Sequence, residues 1–235
     1  MNVKSYWENL DSKLDQLLEQ GAVKLPNLKM FNLNRISNDI SFEMGQKTFQ
    51  ELGNSHEKFL NEFGINQYLS PKLLDLARKV FNYKGSPKNQ YHIARKVIPG
   101  NSKEIFRAHF DSHLFTLVIP IQIPNELTKE KIGELIYFPK IRNLPKNEFS
   151  NFLGKVTYKK YGSKIGLKKL SEKNKYKIDN FTDYQPLIFL GKTTLHANYP
   201  VSQLCKNYRL TLLAHFFDDS PEFGVGKFLR LIRRR

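Results

Sequence analysis

The sequence predicts a mainly β, α+β chain: a helical first third, then short strands that build a sandwich, barrel or jelly roll. Three observations carry this expectation. Apolar residues recur at helical spacing over about the first 85 positions, and the period changes to two from about residue 90. About eight short strands then fill about 130 residues with no long helix between them. Parallel βαβ units would need crossover helices, so antiparallel architecture is expected. A chain of 235 residues with 40% hydrophobic and 13% aromatic content suits one folded domain with a sizeable core.

The elements follow in order. Leu10, Leu14, Leu17 and Leu18 fall at i, i+4, i+7 and i+8, one face of an amphipathic helix that Gly21 stops. A second helix is expected across 55–64, where Phe59, Leu60 and Phe63 share a face. A third follows Ser70-Pro71, with Ser70 as N-cap and Pro71 first in the helix, carrying Leu73, Leu74, Leu76, Ala77 and Val80. Gly85-Ser86-Pro87 breaks it. Strands are expected at 90–98, 104–111, 114–123, 134–138, 155–161, 186–190, 193–198 and 208–217, separated by turn residues. The resulting division is 1–87 as a helical extension, 88–220 as the β core and 221–235 as a tail.

A single cysteine, Cys205, excludes a disulfide framework and any multi-thiolate metal site. No apolar run approaches a membrane span, and the N-terminal residues lack an apolar signal core. A reduced, cytoplasmic protein is expected, soluble or peripheral to a membrane. The net charge of +16 is clustered. Residues 155–177 hold nine Lys and one Glu, and 227–235 hold one Lys and four Arg. Such clusters favour an anionic partner over a general solubility device, although a solvated loop and a ragged tail would look the same in sequence. The mixed apolar and basic tail, 223–235, suits peripheral contact with an anionic membrane. Nucleic acid has charge as its only support, since no recognition motif is present.

The chemistry concentrates in Arg107-Ala-His109-Phe-Asp111-Ser-His113. On a strand His109 and Asp111 share a face, so one imidazole and one carboxylate can meet one ion. A histidine from a non-adjacent strand would complete a two-His, one-carboxylate set with open positions. Thr193-Thr-Leu-His196-Ala-Asn-Tyr-Pro offers one. Arg209 and Thr211 share a face of the last strand, and a guanidinium beside a hydroxyl suits a carboxylate.

With these residues in view, the sequence resembles the Fe(II)/2-oxoglutarate-dependent dioxygenases, particularly the phytanoyl-CoA-hydroxylase-like branch, over roughly residues 88–218. The resemblance rests on His109-Phe-Asp111, Gly133-Glu-Leu-Ile-Tyr-Phe-Pro139, His196 within TTLHANYPV and Arg209-Leu-Thr211. It implies a double-stranded β-helix, a cupin-like jelly roll with helices packed outside. It implies that His109, Asp111 and His196 hold Fe(II), and that Arg209, assisted by Thr211, pairs with the distal carboxylate of 2-oxoglutarate. The implied reaction consumes O2, releases succinate and CO2, and hydroxylates an unactivated C–H. The family more often has paired glycines where Ile132-Gly133 stands.

Arg107 shares the face of His109 and Asp111 and is expected to contact cosubstrate or substrate. His113 continues that series and His215 shares the face of Arg209, and both are expected to line or support the cavity. His56 and His92 are read as packing or surface residues, and Cys205 as without a role. The Lys-rich stretch is expected near the cavity mouth, where it would draw an anionic small molecule or a lipid- or sugar-linked substrate. Two other readings stand beside this one. One is a degenerate cupin-like protein that binds nucleic acid or anionic membrane. The other is a metal isomerase or lyase that consumes no oxygen.

Overall fold

The computed structural model describes residues 3–51, 57–100, 105–124, 131–145 and 148–218. Its strands pair antiparallel in two sheets. The larger runs in the order β1 (Ala22–Lys24), β7 (Leu187–Leu190), β4 (His113–Gln122), β9 (Arg209–Asp218), β3 (Gln90–Val97) and β2 (Phe49–Glu51). The smaller runs β6 (Lys177–Asp179), β5 (Leu135–Phe138) and β8 (Leu195–Asn198). From β4 onward the chain leaves the large sheet for β5 and β6, returns at β7, crosses to β8 and returns at β9. This weave makes a jelly roll, and it faces β8 toward β4 and β9.

The central pair β4 and β9 is apolar along nearly its whole length and buried on both faces, as expected of strands covered on two sides. One face meets the helices. Leu14 and Leu17 of α2 (Leu10–Gln20), Ile36 and Ile40 of α3 (Leu33–Met44), and Leu73 and Ala77 of α5 (Ser70–Phe81) share a single core with Phe115, Leu117, Leu212 and Phe216. The other face, with Val118, Leu135 and Phe189, closes the space between the sheets. A short α1 (Val3–Tyr6) precedes α2, and Gly21 ends α2 by donating its N–H to Leu17 O, as the spacing predicts.

Several sequence expectations change. The first third is not wholly helical: β1 and β2 lie within it and extend the large sheet on both edges. Three-residue strands show no periodicity to read. Ser70 is not an N-cap. The chain enters α5 already helical, through α4 (Glu57–Glu62) and a π-helical turn at Ile65–Leu69, so no helix start exists there to be capped. The Ser70 hydroxyl instead accepts from Gln90 Nε2 at 3.0 Å. Val80 faces solvent.

The expected strand at 155–161 is part of α6 (Glu148–Lys159). Leu153, Val156, Thr157 and Lys160 are exposed, whereas Ser150, Gly154, Tyr158 and Tyr161 are partly buried, which is the three-and-four spacing of a helix. The helix α7 (Lys164–Ser171) follows, with Ser163 capping it by accepting from Gly166 N at 3.0 Å. The expected strand at 104–111 is irregular over its described part, 105–111, and its one β-bridge there joins His109 to His196. His56 and the tail 221–235, with its basic 227–235 cluster, lie outside the described residues.

Candidate active site

Three main-chain hydrogen bonds assemble the site. His109 N donates to His196 O and His196 N donates to His109 O, each at 3.1 Å. Directly opposed residues project to the same side, and the two rings lie with centroids 4.3 Å apart. Asp111 N donates to Gly191 O at 3.1 Å, which brings the carboxylate under the two rings. Gly191 is required there, because a Cβ would sit 2.6 Å from His113 O and 3.0 Å from Asp111 Cβ. One ligand atom from each of His109, Asp111 and His196 then lies within 4.8 Å of the others. His109 Nε2 is 3.7 Å from Asp111 Oδ1, and His196 Nε2 is 3.8 Å from Asp111 Oδ2. Bonds of about 2.1 Å to one ion place neighbouring donors about 3 Å apart, so a small contraction suffices.

Protonation suits the same purpose. His109 Nδ1 lies 2.9 Å from Arg107 O, and His196 Nδ1 lies 3.3 Å from Thr194 O. A carbonyl only accepts, so each Nδ1 donates its proton there and each Nε2 is the ring atom turned toward Asp111. Burial pushes His196 down to about 4, against the pull of Asp111, which keeps the ring neutral at neutral pH. Burial alone would raise Asp111, but His196, His215, His109 and a hydrogen bond from Thr116 hold it well below the usual carboxylate range. The Thr116 hydroxyl donates to Asp111 Oδ2 at 2.5 Å and lies 3.1 Å from His215 Nδ1. Since that proton goes to Asp111, His215 Nδ1–H donates to Thr116. A neutral imidazole at His196 and an ionised carboxylate at Asp111 are states in which such groups bind a divalent metal.

The three groups open into a cavity of about 730 Å³ that also includes Arg95, Arg107, Arg209, Thr211, Asn198 and His215. Apolar Ile93, Val118, Leu135, Phe189 and Leu213 form much of its wall. Arg209 is almost wholly buried at the start of β9. Its Nη1 donates to Gly133 O and, at 3.1 Å, to Asn198 Oδ1, and its ring-facing side covers Phe181. Gly133 has φ +82°, and a Cβ there would sit 2.8 Å from Val201 Cγ2 and 3.2 Å from Arg209 Cδ. The lone glycine therefore both turns the chain and makes room for the guanidinium. Burial, then the nearby charge of Arg95, lowers Arg209 to about 9. Its buried Nε lacks a hydrogen-bond partner among the described residues, which leaves donor capacity for an anion.

Solved structures share this architecture. A prolyl-4-hydroxylase of Pseudomonas putida superposes with TM-score 0.55 at 13% identity, over 88% of this chain and 98% of its own. A prolyl 4-hydroxylase of Phytophthora capsici gives TM-score 0.57 at 12% identity, over 98% and 72%. SnoK, a non-heme alpha-ketoglutarate dependent carbocyclase from nogalamycin biosynthesis, gives 0.56 at 11%, over 93% and 86%. The chain has the jelly-roll fold of these oxygenases. No family model and no curated protein matches the sequence.

Within the jelly roll, the residues singled out from sequence separate clearly. His109, Asp111, His196, Arg209 and Thr211 all line one cavity, and Arg107 lies exposed on its wall. His215 supports Asp111 from behind through Thr116, with Nδ1 3.7 Å from Oδ2. His113 stacks on His215 and Tyr91 at the start of β4, and its burial lowers it to about 3. His92 packs edge-on against Phe216. Cys205 is buried with its thiol 3.8 Å from Lys131 O. None of residues 155–177 is among the described cavity residues.

Thr116, Asn198 and Arg95 were missed. Asn198 follows His196 by two, and strand alternation alone would have placed both on one face. Arg95 required the register, in which it stands opposite Thr211.

Proposed function

We propose that the chain is an Fe(II)- and 2-oxoglutarate-dependent oxygenase that hydroxylates an unactivated C–H of an anionic substrate, with release of succinate and CO2. The observation that carries this reading is the convergence of His109, Asp111 and His196 on a cavity that also holds a buried arginine. His109 Nε2, Asp111 and His196 Nε2 would hold the metal from one side. Thr116 and His215 fix the carboxylate, and the two backbone carbonyls fix the rings. Arg209 and Thr211 would take the distal carboxylate of 2-oxoglutarate, with the unused Nε of Arg209 as available donor. When bound, the iron and the oxo acid supply oxygen activation coupled to decarboxylation. Arg107 and Arg95 favour a substrate with negative charge, and the apolar wall formed by Val118, Leu135 and Phe189 keeps water from the reacting face.

The structure of EvdO2 with 2-oxoglutarate (TM-score 0.51) supports the cosubstrate, as a ligand on the same fold. The descriptions of SnoK as a carbocyclase and SnoN as an epimerase put other outcomes on that fold, so hydroxylation is the specific part of the proposal. Placement in the phytanoyl-CoA-hydroxylase-like branch rests on the order of the sequence motifs. The complete donor set favours catalysis over a degenerate polyanion-binding cupin. No helix among the described residues is long and apolar enough to cross a membrane.

The test is succinate release by protein loaded anaerobically with Fe(II) and 2-oxoglutarate and then exposed to O2. Slow release without substrate, stimulated by members of an anionic metabolite panel with mass gain of one oxygen in the product, is expected. Folded, iron-loaded protein that forms no succinate under any of these conditions would contradict the proposal.

A further inference from the structure

The Lys-rich segment is carried largely on two helices, α6 and α7, packed outside the small sheet, and their outward faces have a distinctive composition. In α6 the exposed stripe is Leu153, Val156 and Thr157, and Lys160 continues it in the turn that follows. In α7 it is Lys164, Ile165, Lys168 and Lys169. Ile165 is 70% exposed, Val156 52% and Leu153 48%. The turn links the two helices: Lys160 and Tyr161, just past α6, line one depression with Ser163, Ile165, Lys169 and Lys173. No acidic residue lines it, and 155–177 contains one Glu against nine Lys.

We propose that the outer face of α6 and α7 is a docking surface for an anionic phospholipid bilayer. Isolated exposed apolar residues are ordinary, but here they sit inside a lysine field on adjoining helical stripes. A bilayer interface satisfies both kinds of group together. Ile165, Val156 and Leu153 enter the acyl boundary, while lysine stems lie along apolar surface and place their ammonium groups among the headgroup phosphates. A nucleic acid satisfies only the charge, because a phosphate backbone offers Ile165 no apolar partner. The absence of arginine from 155–177 agrees, since lysine meets a diffuse anionic surface as a point charge whereas arginine excels at bidentate recognition.

The packing shows why the face is rigid enough to dock. Its inner side is held by Leu167 and Leu170 in the core with Phe138 and Leu195. Tyr158 meets Phe110 edge-on at 5.2 Å, and Lys155 Nζ donates to Ser112 Oγ at 3.1 Å. Both contacts fall on the segment that carries His109 and Asp111, so a docked bilayer would lie beside an element of the site.

The experiment is cosedimentation of the full-length protein with vesicles of phosphatidylcholine alone and of phosphatidylcholine with phosphatidylserine. Binding only to the anionic vesicles, weakened by added salt, is expected. Replacing Lys164, Lys168 and Lys169 together by Gln should weaken that binding roughly a hundredfold. Ile165→Asn should weaken it about tenfold without altering binding to a DNA duplex of equal charge density. Should Ile165→Asn change the melting temperature, Val156→Asn is read in its place. Absence of vesicle binding would overturn the proposal. So would binding that none of these substitutions alters, which assigns it to another basic segment, or DNA binding that competes with vesicles while Ile165→Asn leaves both unchanged.

Discussion

The two ends of the cavity are built by different means. At the histidine end the rings are oriented locally, since His109 Nδ1 and His196 Nδ1 each bond the carbonyl two residues before, and long-range main-chain bonds from His109 to His196 and from Asp111 to Gly191 bring the segments together. At the arginine end, the constraints are distant. Arg209 is held by Gly133, 76 residues away, and by Asn198, 11 residues away, with Phe181 beneath it. The difference teaches where each end is vulnerable. The donor set depends on side chains held by neighbouring carbonyls, on one hydroxyl behind the carboxylate and on the His109–His196 bridge. The guanidinium depends on whether the small sheet and the last strand of the large sheet meet correctly.

The comparison can be broken most sharply at Asp111. Asp111→Ala should remove detectable Fe(II) or Co(II) binding in anaerobic calorimetry while leaving the melting curve cooperative, because the fold's core lies elsewhere. Arg209→Ala should leave metal affinity unchanged and raise the 2-oxoglutarate concentration for half-maximal turnover on the order of a hundredfold. Arg209→Lys should not restore it, since the two-pronged donor geometry is lost. Thr116→Val should lower metal affinity by about 10- to 100-fold, with Thr116→Ser restoring it, if the hydroxyl fixes Asp111. Gly133→Ala should cost about 1–3 kcal/mol in denaturant unfolding, from a positive φ and from crowding of Arg209. It should also raise the 2-oxoglutarate requirement while sparing metal binding, which distinguishes the arginine end from general destabilisation.

The same contrast explains what the amino-acid order revealed. The pair His109 and Asp111 was legible because i, i+2 spacing survives even in the irregular segment that carries it. His196 was legible as a histidine on a strand-like run, and Arg209 with Thr211 by alternation on the last strand. The large strands and α2 announced themselves by periodicity over many residues. β1 and β2 did not, since three residues carry no period and their pairing is decided by β7 and β3. α6 was misread because Val156 and Tyr158 alternate with polar residues over its last turns, whereas its helical spacing becomes plain only with Leu153 included. Thr116 lay unnoticed in an apolar strand, because its function depends on His215 reaching it from β9, 99 residues on.

The central claim is that one cavity joins a metal-binding end to a carboxylate-binding end. Its most direct test is anaerobic titration of 2-oxoglutarate into Fe(II)-loaded protein, followed by visible absorption. A metal-to-ligand charge-transfer band should rise and saturate in the native protein, need far more 2-oxoglutarate in Arg209→Ala, and be absent in Asp111→Ala. Native protein that retains Fe(II) and develops no band at any 2-oxoglutarate concentration would contradict the account.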